Sequence, residues 1–166
     1  MYIKYYFGIL FQNLGHIASL VKNDPSLEQK VMVLYAENPQ NIFVCPSNQI
    51  GLADKIATQV DNYANIDENM VGFAPKIGKM CVAQSTDDDG WYRGACVGFV
   101  EDKFEIFFVD YGFKEVLPRN RLKMIDPLLM KTVFFANHCV LKGFENSEMA
   151  SHFNEKYGEV GKYNSK

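Results

Sequence analysis

"FFVDYGFKEV", residues 107–116, begins as a buried strand and ends in a sharp corner. The run FFV is typical of a strand interior, whereas DYG has the residues of a turn. This turn carries the large ring of Tyr111 at a place where turns usually carry small polar groups. Because Phe108, Tyr111 and Phe113 surround one glycine, we expect their rings to line a binding surface at the open end of a sheet.

Short strands, joined by turns rich in Asp and Gly, lie on both sides of this corner. The predicted strands are near 79–85, 91–99, 104–110 and 113–117, with a short last element around 120–125. Strands this short and this closely spaced are typical of a small barrel made from one bent sheet.

Outside these strands, the chain has the patterns of a hairpin, two helices and one further strand. The hairpin occupies residues 30–45 and the strand residues 136–143. One helix is predicted over residues 51–66 from its apolar period, and a second from Asn146 onward. Each piece is too small to bury a core alone, so we expect them to pack together around an inserted barrel.

The composition is that of a folded, soluble protein with many aromatic rings. Of its 166 residues, 48% are hydrophobic, 22% are charged and 14% are aromatic. The formal net charge of -3 argues against a strong nucleic-acid binder, which usually has a basic surface. The acidic run 87–89 is either a solvated loop or a rim that attracts a cationic partner.

Four cysteines stand singly in apolar, strand-like segments, at positions 45, 81, 96 and 139. Their spacing is neither a zinc pattern nor a disulfide framework, so we expect buried free thiols, no metal site and a reducing compartment. The first residues are apolar, but Gln12 and Asn13 interrupt them well short of a membrane span. We expect residues 1–24 to form an extra packed helix or an extension, with no membrane association.

Catalysis is not expected from the ionisable residues. The predicted helix carries Asp54 and Asp61 on its polar face, but the three arginines, at positions 93, 119 and 121, all fall in the predicted barrel. A metal-dependent nuclease needs carboxylates and arginines that converge on one phosphate. The sequence shows no such cluster, and no cofactor site is predicted.

Two neighbouring strands bring aromatic rings toward one end of the predicted barrel. Tyr92 and Phe108 lie on the two arms of an antiparallel hairpin, and a cation is attracted to clustered ring faces by about 0.5–2 kcal/mol per ring. Alternation turns Trp91, Phe99 and Phe107 to the opposite side, so these three rings are predicted to form the barrel core.

The stretches "GKMCVAQSTDDDGWYRGACV" (78–97) and "FEIFFVDYGFKEVLPRNRLKMI" (104–125) together resemble a Tudor domain. With the flanking hairpin, helices and strand, residues 30–158 resemble the extended Tudor arrangement. The resemblance implies a mostly β fold with helices (α+β), in which an SH3-like Tudor barrel is inserted into an OB-type, staphylococcal-nuclease-like half-barrel with a connecting long helix. The implied segments are an N-terminal extension (1–29), the first nuclease-like part (30–75), the Tudor barrel (76–126) and the second nuclease-like part (127–166).

The resemblance also implies a function. Extended Tudor domains read methylated arginine in the N-terminal tails of Piwi proteins, through an aromatic cage and an Asn. The cage positions carried over to this chain are Tyr92, Phe108 and Tyr111, whereas Ser85 replaces a cage ring and Phe113 replaces the Asn. The cage is therefore incomplete. We predict a non-catalytic module that binds an arginine-rich tail of a Piwi/Argonaute-type protein, whether or not the arginine is methylated.

The acidic residues Asp87 and Asp110 are predicted to assist at this site. The resemblance further implies a cytoplasmic location in perinuclear germ granules (nuage). Three alternatives stay open: a structural or self-associating module without a peptide ligand, a reader that requires symmetric dimethylarginine, and an RNA-binding OB-like domain.

Overall fold

Two antiparallel sheets and one α-helix make up the described part of the chain, which in this computed structural model comprises residues 3–5, 30–66, 72–141 and 144. The α+β fold class predicted from the sequence is confirmed. The helix predicted from Asn146 and most of residues 1–24 lie outside the described residues. The division of the chain into four segments stays a prediction.

The first sheet contains the predicted hairpin. Its strand order is β1-β9-β3-β2. The strands are β1 (Ile3–Tyr5), β2 (Val31–Asn38), β3 (Asn41–Pro46) and β9 (Asn137–Leu141). Strand β1 pairs with β9, with Ile3 opposite Leu141. Residues 3–5 therefore extend this sheet as a strand, while the packed helix or extension predicted for residues 1–24 is not tested beyond these three residues.

Helix α1 (Ile50–Ile66) follows β3 after a 3-10 turn at Ser47–Gln49 and confirms the predicted helix. It buries Ile56, Val60 and Ala64, which recur at the spacing of one helical face. The hydroxyl of Tyr63 donates a hydrogen bond to the carbonyl of Met124 at 2.9 Å, which fixes the helix against the second sheet.

The second sheet has the strand order β7-β6-β5-β4-β8. The strands are β4 (Met80–Gln84), β5 (Trp91–Val100), β6 (Lys103–Phe108), β7 (Lys114–Leu117) and β8 (Leu122–Lys123). The two edge strands, β7 and β8, are joined only by a short turn that contains the 3-10 segment Arg119–Arg121. Because so short a connection joins opposite edges, the sheet must curl into the predicted barrel.

Alternation along the barrel strands separates two apolar clusters, one on each face of the sheet. The prediction of which rings lie inside the barrel was wrong. Trp91 and Phe107 are buried, but against helix α1 and the hairpin on the outer face of the sheet. Phe108 lies in the cluster inside the barrel, with Tyr92 packed against it. Phe99, predicted to be core, is 54% exposed because it lies near the far end of β5, beyond the bulge after Cys96.

No helix in the described part of the chain is long and apolar enough to span a bilayer.

Candidate functional site

A cleft of about 60 Å³ lies where the hairpin, helix α1 and the rim of the barrel meet. Its lining comprises Met32, Leu34, Cys45, Ile50, Ala53, Asp54, Ala57, Val60, Tyr92, Arg93, Asp110, Tyr111 and Phe135. The volume corresponds to roughly four water molecules by the space that one water needs. A small planar group fits such a space, and a longer ligand would have to continue along the surface.

Two tyrosines form the barrel side of this cleft. The ring centroids of Tyr92 and Tyr111 are 4.9 Å apart at an interplanar angle of 71°, an edge-to-face contact. The Tyr92 hydroxyl donates a hydrogen bond to Asp88 Oδ2 at 2.6 Å. A side chain at Gly90 would clash with the Tyr92 ring, its Cβ lying 2.7 Å from the hydroxyl oxygen. Glycine at this position therefore allows the tyrosine to fold back toward the acidic loop.

Phe108 and Phe113 lie behind the tyrosines and are not part of the cleft lining among the described residues. Phe108 is fully buried, and its ring centroid is 6.1 Å from that of Tyr92 and 4.7 Å from that of Phe113. Phe113 is half-buried and also contacts Tyr111 at 6.2 Å. The four predicted rings are brought together, with two at the cleft and two supporting them.

Ser85 is buried beneath the acidic loop instead of facing the cleft. Its hydroxyl donates a hydrogen bond to Glu115 Oε1 at 2.8 Å, and the backbone N–H and hydroxyl of Thr86 donate to Glu115 Oε2. At the other end of the loop, Arg121 forms an ion pair with Asp89 at 2.9 Å. Asp87 is exposed in the turn between these anchors.

Asp110 lines the cleft but is already paired. Arg93 Nε donates to Asp110 Oδ2 at 2.8 Å, and Arg93 Nη2 donates to Oδ1 at 2.6 Å. The backbone N–H of Phe135 also donates to Oδ1. The carboxylate that the sequence offered for a ligand is therefore neutralised by an internal arginine.

Helix α1 carries one carboxylate in the cleft and another beside the start of strand β5, and neither was predicted as a site residue from the sequence. Asp54 lines the cleft, and Asp61 Oδ1 accepts a long hydrogen bond from the backbone N–H of Trp91 at 3.5 Å. The two residues are seven positions apart, or about two helical turns, and so lie along one side of the helix. This spacing can be recognised in the sequence, but a polar helix face does not show which strand or loop lies next to it.

Burial and the acidic surroundings raise the pKa of both tyrosine hydroxyls. The pKa of Tyr111 is raised to about 12, first by burial and then by the charges of Asp110, Asp88 and Asp54. Burial and the hydrogen bond to Asp88 also raise the pKa of Tyr92 well above its ordinary value. Both tyrosines are neutral at physiological pH, so the cleft has two uncharged aromatic rings beside an excess of negative charge.

Buried thiols are found at all four cysteines, as predicted, and none of them forms a disulfide. Across residues 30–66, 72–141 and 144, no group of three or more His, Cys, Asp or Glu side chains has a metal-binding arrangement.

A curled five-stranded sheet, inserted in the chain between a hairpin with its helix and a later strand of the hairpin's sheet, is the arrangement of extended Tudor domains. The family model described as Tudor domain matches residues 24–143. The chain therefore belongs to the Tudor-domain family.

Relatives of known name agree with this assignment. Tudor domain-containing protein 1 is 32% identical over 120 residues in mouse and 33% identical over 119 residues in human. Each match covers 70% of this chain and 10% of the relative, so the chain spans about a tenth of the length of these proteins.

Solved structures that match this fold include extended Tudor domains. The human TDRD1 domain, in complex with a symmetrically dimethylated peptide, matches with a TM-score of 0.64 and 26% identity, over 76% of this chain and 67% of that one. The Drosophila melanogaster Papi domain, in complex with a Piwi N-terminal R10me2s peptide, matches with a TM-score of 0.65 and 21% identity, over 76% of this chain and 68% of that one.

Proposed function

We propose that this chain is a binding module that holds an arginine-bearing, flexible tail of a Piwi-type protein in the cleft between helix α1 and the barrel rim. The observation that carries the proposal is the meeting of Tyr92, Tyr111 and Asp54 in one small cleft. Ring faces attract a guanidinium, and a nearby carboxylate strengthens the attraction. The two domains of known structure named above, each with a dimethylated peptide bound, support the same class of ligand.

Binding is proposed to depend only weakly on arginine methylation. The cage of Tyr92 and Tyr111 is backed by Phe113, where a hydrogen-bonding Asn would otherwise stand, and Ser85 is buried under the loop. Methyl groups would therefore meet two rings at the cleft instead of a complete enclosure. The gain from methylation should be small, while the attraction between the cation and the acidic cleft remains.

Calorimetry with matched peptides tests this proposal. We would use a short Ala-Gly peptide with one central arginine in three forms: unmodified, symmetrically dimethylated, and replaced by citrulline, which is uncharged. The expected result is similar affinity for the first two forms and a loss of roughly tenfold or more for citrulline, as for a lost charge-assisted hydrogen bond. A strong preference for the dimethylated form would refute the weak dependence on methylation.

Tyr111→Ala should abolish binding, because it removes a ring that lines the cleft. Phe99→Ala is the matched control, since this exposed ring lies seven residues beyond Tyr92 on strand β5, roughly 23 Å along the strand. If both variants bind as the unaltered chain does, the cleft is not the binding site.

We propose binding without catalysis. One relative is named Ribonuclease TUDOR 1 of Arabidopsis thaliana, but the match covers only 12% of that protein. The cytoplasmic germ-granule location stays a prediction from the resemblance.

Self-association is the second candidate function. It is favoured by Met32 and Val33, which are 42% and 51% exposed. Both lie on strand β2, which is an edge strand of the first sheet among the described residues. Light scattering on the full chain, and on a chain without residues 1–24, would measure its mass in solution. A monomer in both cases would count against this candidate.

A further inference from the structure

We propose that Asp54 of helix α1 is the residue that accepts the hydrogen bonds of the bound cation. The helix, and not the barrel, would then set the charge specificity of the cleft. This inference rests on the proposed function and assigns the acceptor role that Phe113, standing at the Asn position of the resemblance, cannot fill.

The first step is the state of the carboxylates that line the cleft, which are those of Asp54 and Asp110. Both oxygens of Asp110 accept hydrogen bonds from the guanidinium of Arg93 at 2.6 and 2.8 Å. Arg93 is 1% exposed and carries a full positive charge next to this carboxylate. A second guanidinium at Asp110 would have to compete with the first and would be repelled by it.

The acidic loop offers no acceptor within the cleft, because none of Asp87, Asp88 and Asp89 lines it. Asp88 accepts the Tyr92 hydroxyl at 2.6 Å and the backbone N–H of Gly90 at 3.0 Å. Asp89 is paired with Arg121. These carboxylates hold the loop and the Tyr92 ring in place, and neither lines the cleft in the described structure.

Asp54 differs from the other carboxylates in its hydrogen-bond partners and in its position. Its carboxylate has no hydrogen-bond or ion-pair partner within the described residues, and it lines the cleft together with Tyr111. Cys45 and Tyr111 line the same cleft, and the charge of Asp54 contributes to the raised pKa of each. The backbone of Asp54 is fixed in helix α1, so only its short side chain has to be ordered on binding.

The neighbours of Asp54 leave space for a ligand. Ala53 and Ala57, which precede it by one position and follow it by three, also line the cleft, and neither side chain extends beyond Cβ. A planar guanidinium fits the geometry of a carboxylate through paired N–H donors. The cleft would therefore hold an arginine with its donors toward Asp54 and its plane near the tyrosine rings.

The experiment is a double-mutant cycle on the full chain, measured by calorimetry with the Ala-Gly peptide described above. Asp54→Asn keeps the side-chain shape and removes the charge. We expect its affinity for the arginine peptide to fall tenfold or more, and its affinity for the citrulline peptide to equal that of the unaltered chain. Asp102→Asn removes the same charge in the turn between β5 and β6 and should change neither affinity more than twofold.

A charge reversal gives a second, independent readout. Asp54→Lys should lose the arginine peptide and gain affinity for the same peptide with glutamate in place of arginine. Thermal unfolding checks that each variant is folded, and the exposed position of Asp54 leads us to expect no large change in Tm.

The possible outcomes separate the two proposals. If the unaltered chain prefers arginine to citrulline but Asp54→Asn binds arginine equally well, the role of Asp54 is overturned and the proposed function stands. An equal loss of both peptides in Asp54→Asn also overturns it, because the effect would then not depend on the charge of the peptide side chain. If the unaltered chain binds arginine and citrulline equally, the proposed function itself fails.

Discussion

The guanidinium of Arg93 donates two hydrogen bonds to the carboxylate of Asp110, at 2.8 and 2.6 Å. Its remaining N–H groups donate to three backbone carbonyls of the segment that leads into strand β9. These carbonyls belong to Leu129, Thr132 and Val133. All five donors of a fully buried arginine are therefore satisfied, and one side chain fixes strand β5, the turn after strand β6 and this segment together.

We predict that Arg93→Met lowers the free energy of unfolding by about 3–5 kcal/mol, the cost of leaving one partner of a buried ion pair alone. Urea denaturation followed by circular dichroism measures it. Lys114→Met is the control, because Lys114 and Glu105 form an exposed pair at 3.4 Å whose loss should cost about 1 kcal/mol or less. Equal losses in the two variants would contradict a special role for the buried pair.

The strands around this pair could be predicted from the sequence, but the pair itself could not. Alternation and turn residues gave strands β4 to β7 close to their observed bounds. The sequence contains Arg93 and Asp110 seventeen positions apart, and nothing local shows that they meet. Asp110 was therefore predicted to serve a ligand, since a turn carboxylate beside aromatic rings has the same appearance in either role.

The assignment of faces failed for a related reason. A strand covered on both sides has apolar residues at all positions, so alternation divides its side chains into two sets without naming the side of each. Trp91 and Phe107 face helix α1, whereas Phe108 faces the barrel interior. Only the packing of the helix against the outer face distinguishes the two sets, and that packing depends on contacts distant in sequence.

Gly112 gives a test of the corner in the segment of residues 107–116. It has φ of +90°, and a Cβ there would overlap the ring of Phe43 from the hairpin. Gly112→Ala should therefore cost about 2–4 kcal/mol of unfolding free energy, from backbone strain and overpacking together. The measurement is urea denaturation.

Gly51→Ala is the matched control for this prediction. Gly51 lies in helix α1, and a Cβ at this position would point into open space. Alanine has the higher helix propensity, so this change should stabilise the chain by about 0.5–1 kcal/mol. Two substitutions of the same kind should thus change stability in opposite directions.

Lys123 is predicted to hold helix α1 against the barrel. Its Nζ donates to the carbonyl of Ala64 at 2.5 Å and lies 4.7 Å from the centroid of Trp91, the chain's one tryptophan. Lys123→Met should cost about 1–3 kcal/mol, because the buried carbonyl loses its donor. Trp91 fluorescence should change in the folded variant, and an unchanged spectrum and stability would contradict this role.

Alkaline pH should destabilise the chain through its buried thiols. Burial raises the pKa of Cys81 to about 12, from 9.0 in an exposed chain. Because the folded state keeps this thiol protonated while the unfolded state loses the proton, its contribution to stability is fully present below pH 9. It is lost progressively as the pH rises from 9 toward about 12.

Urea denaturation at pH 8, 9 and 10 should show a decrease of about 1 kcal/mol per pH unit from this residue above pH 9. Tyrosines ionise mainly above this range, and Cys81→Ala should make the decrease between pH 9 and 10 smaller by about 1 kcal/mol. Burial also raises the pKa of Cys139 to about 12, so part of the decrease should remain in this variant. An unchanged slope in that variant would mean that Cys81 is not the source of the pH dependence.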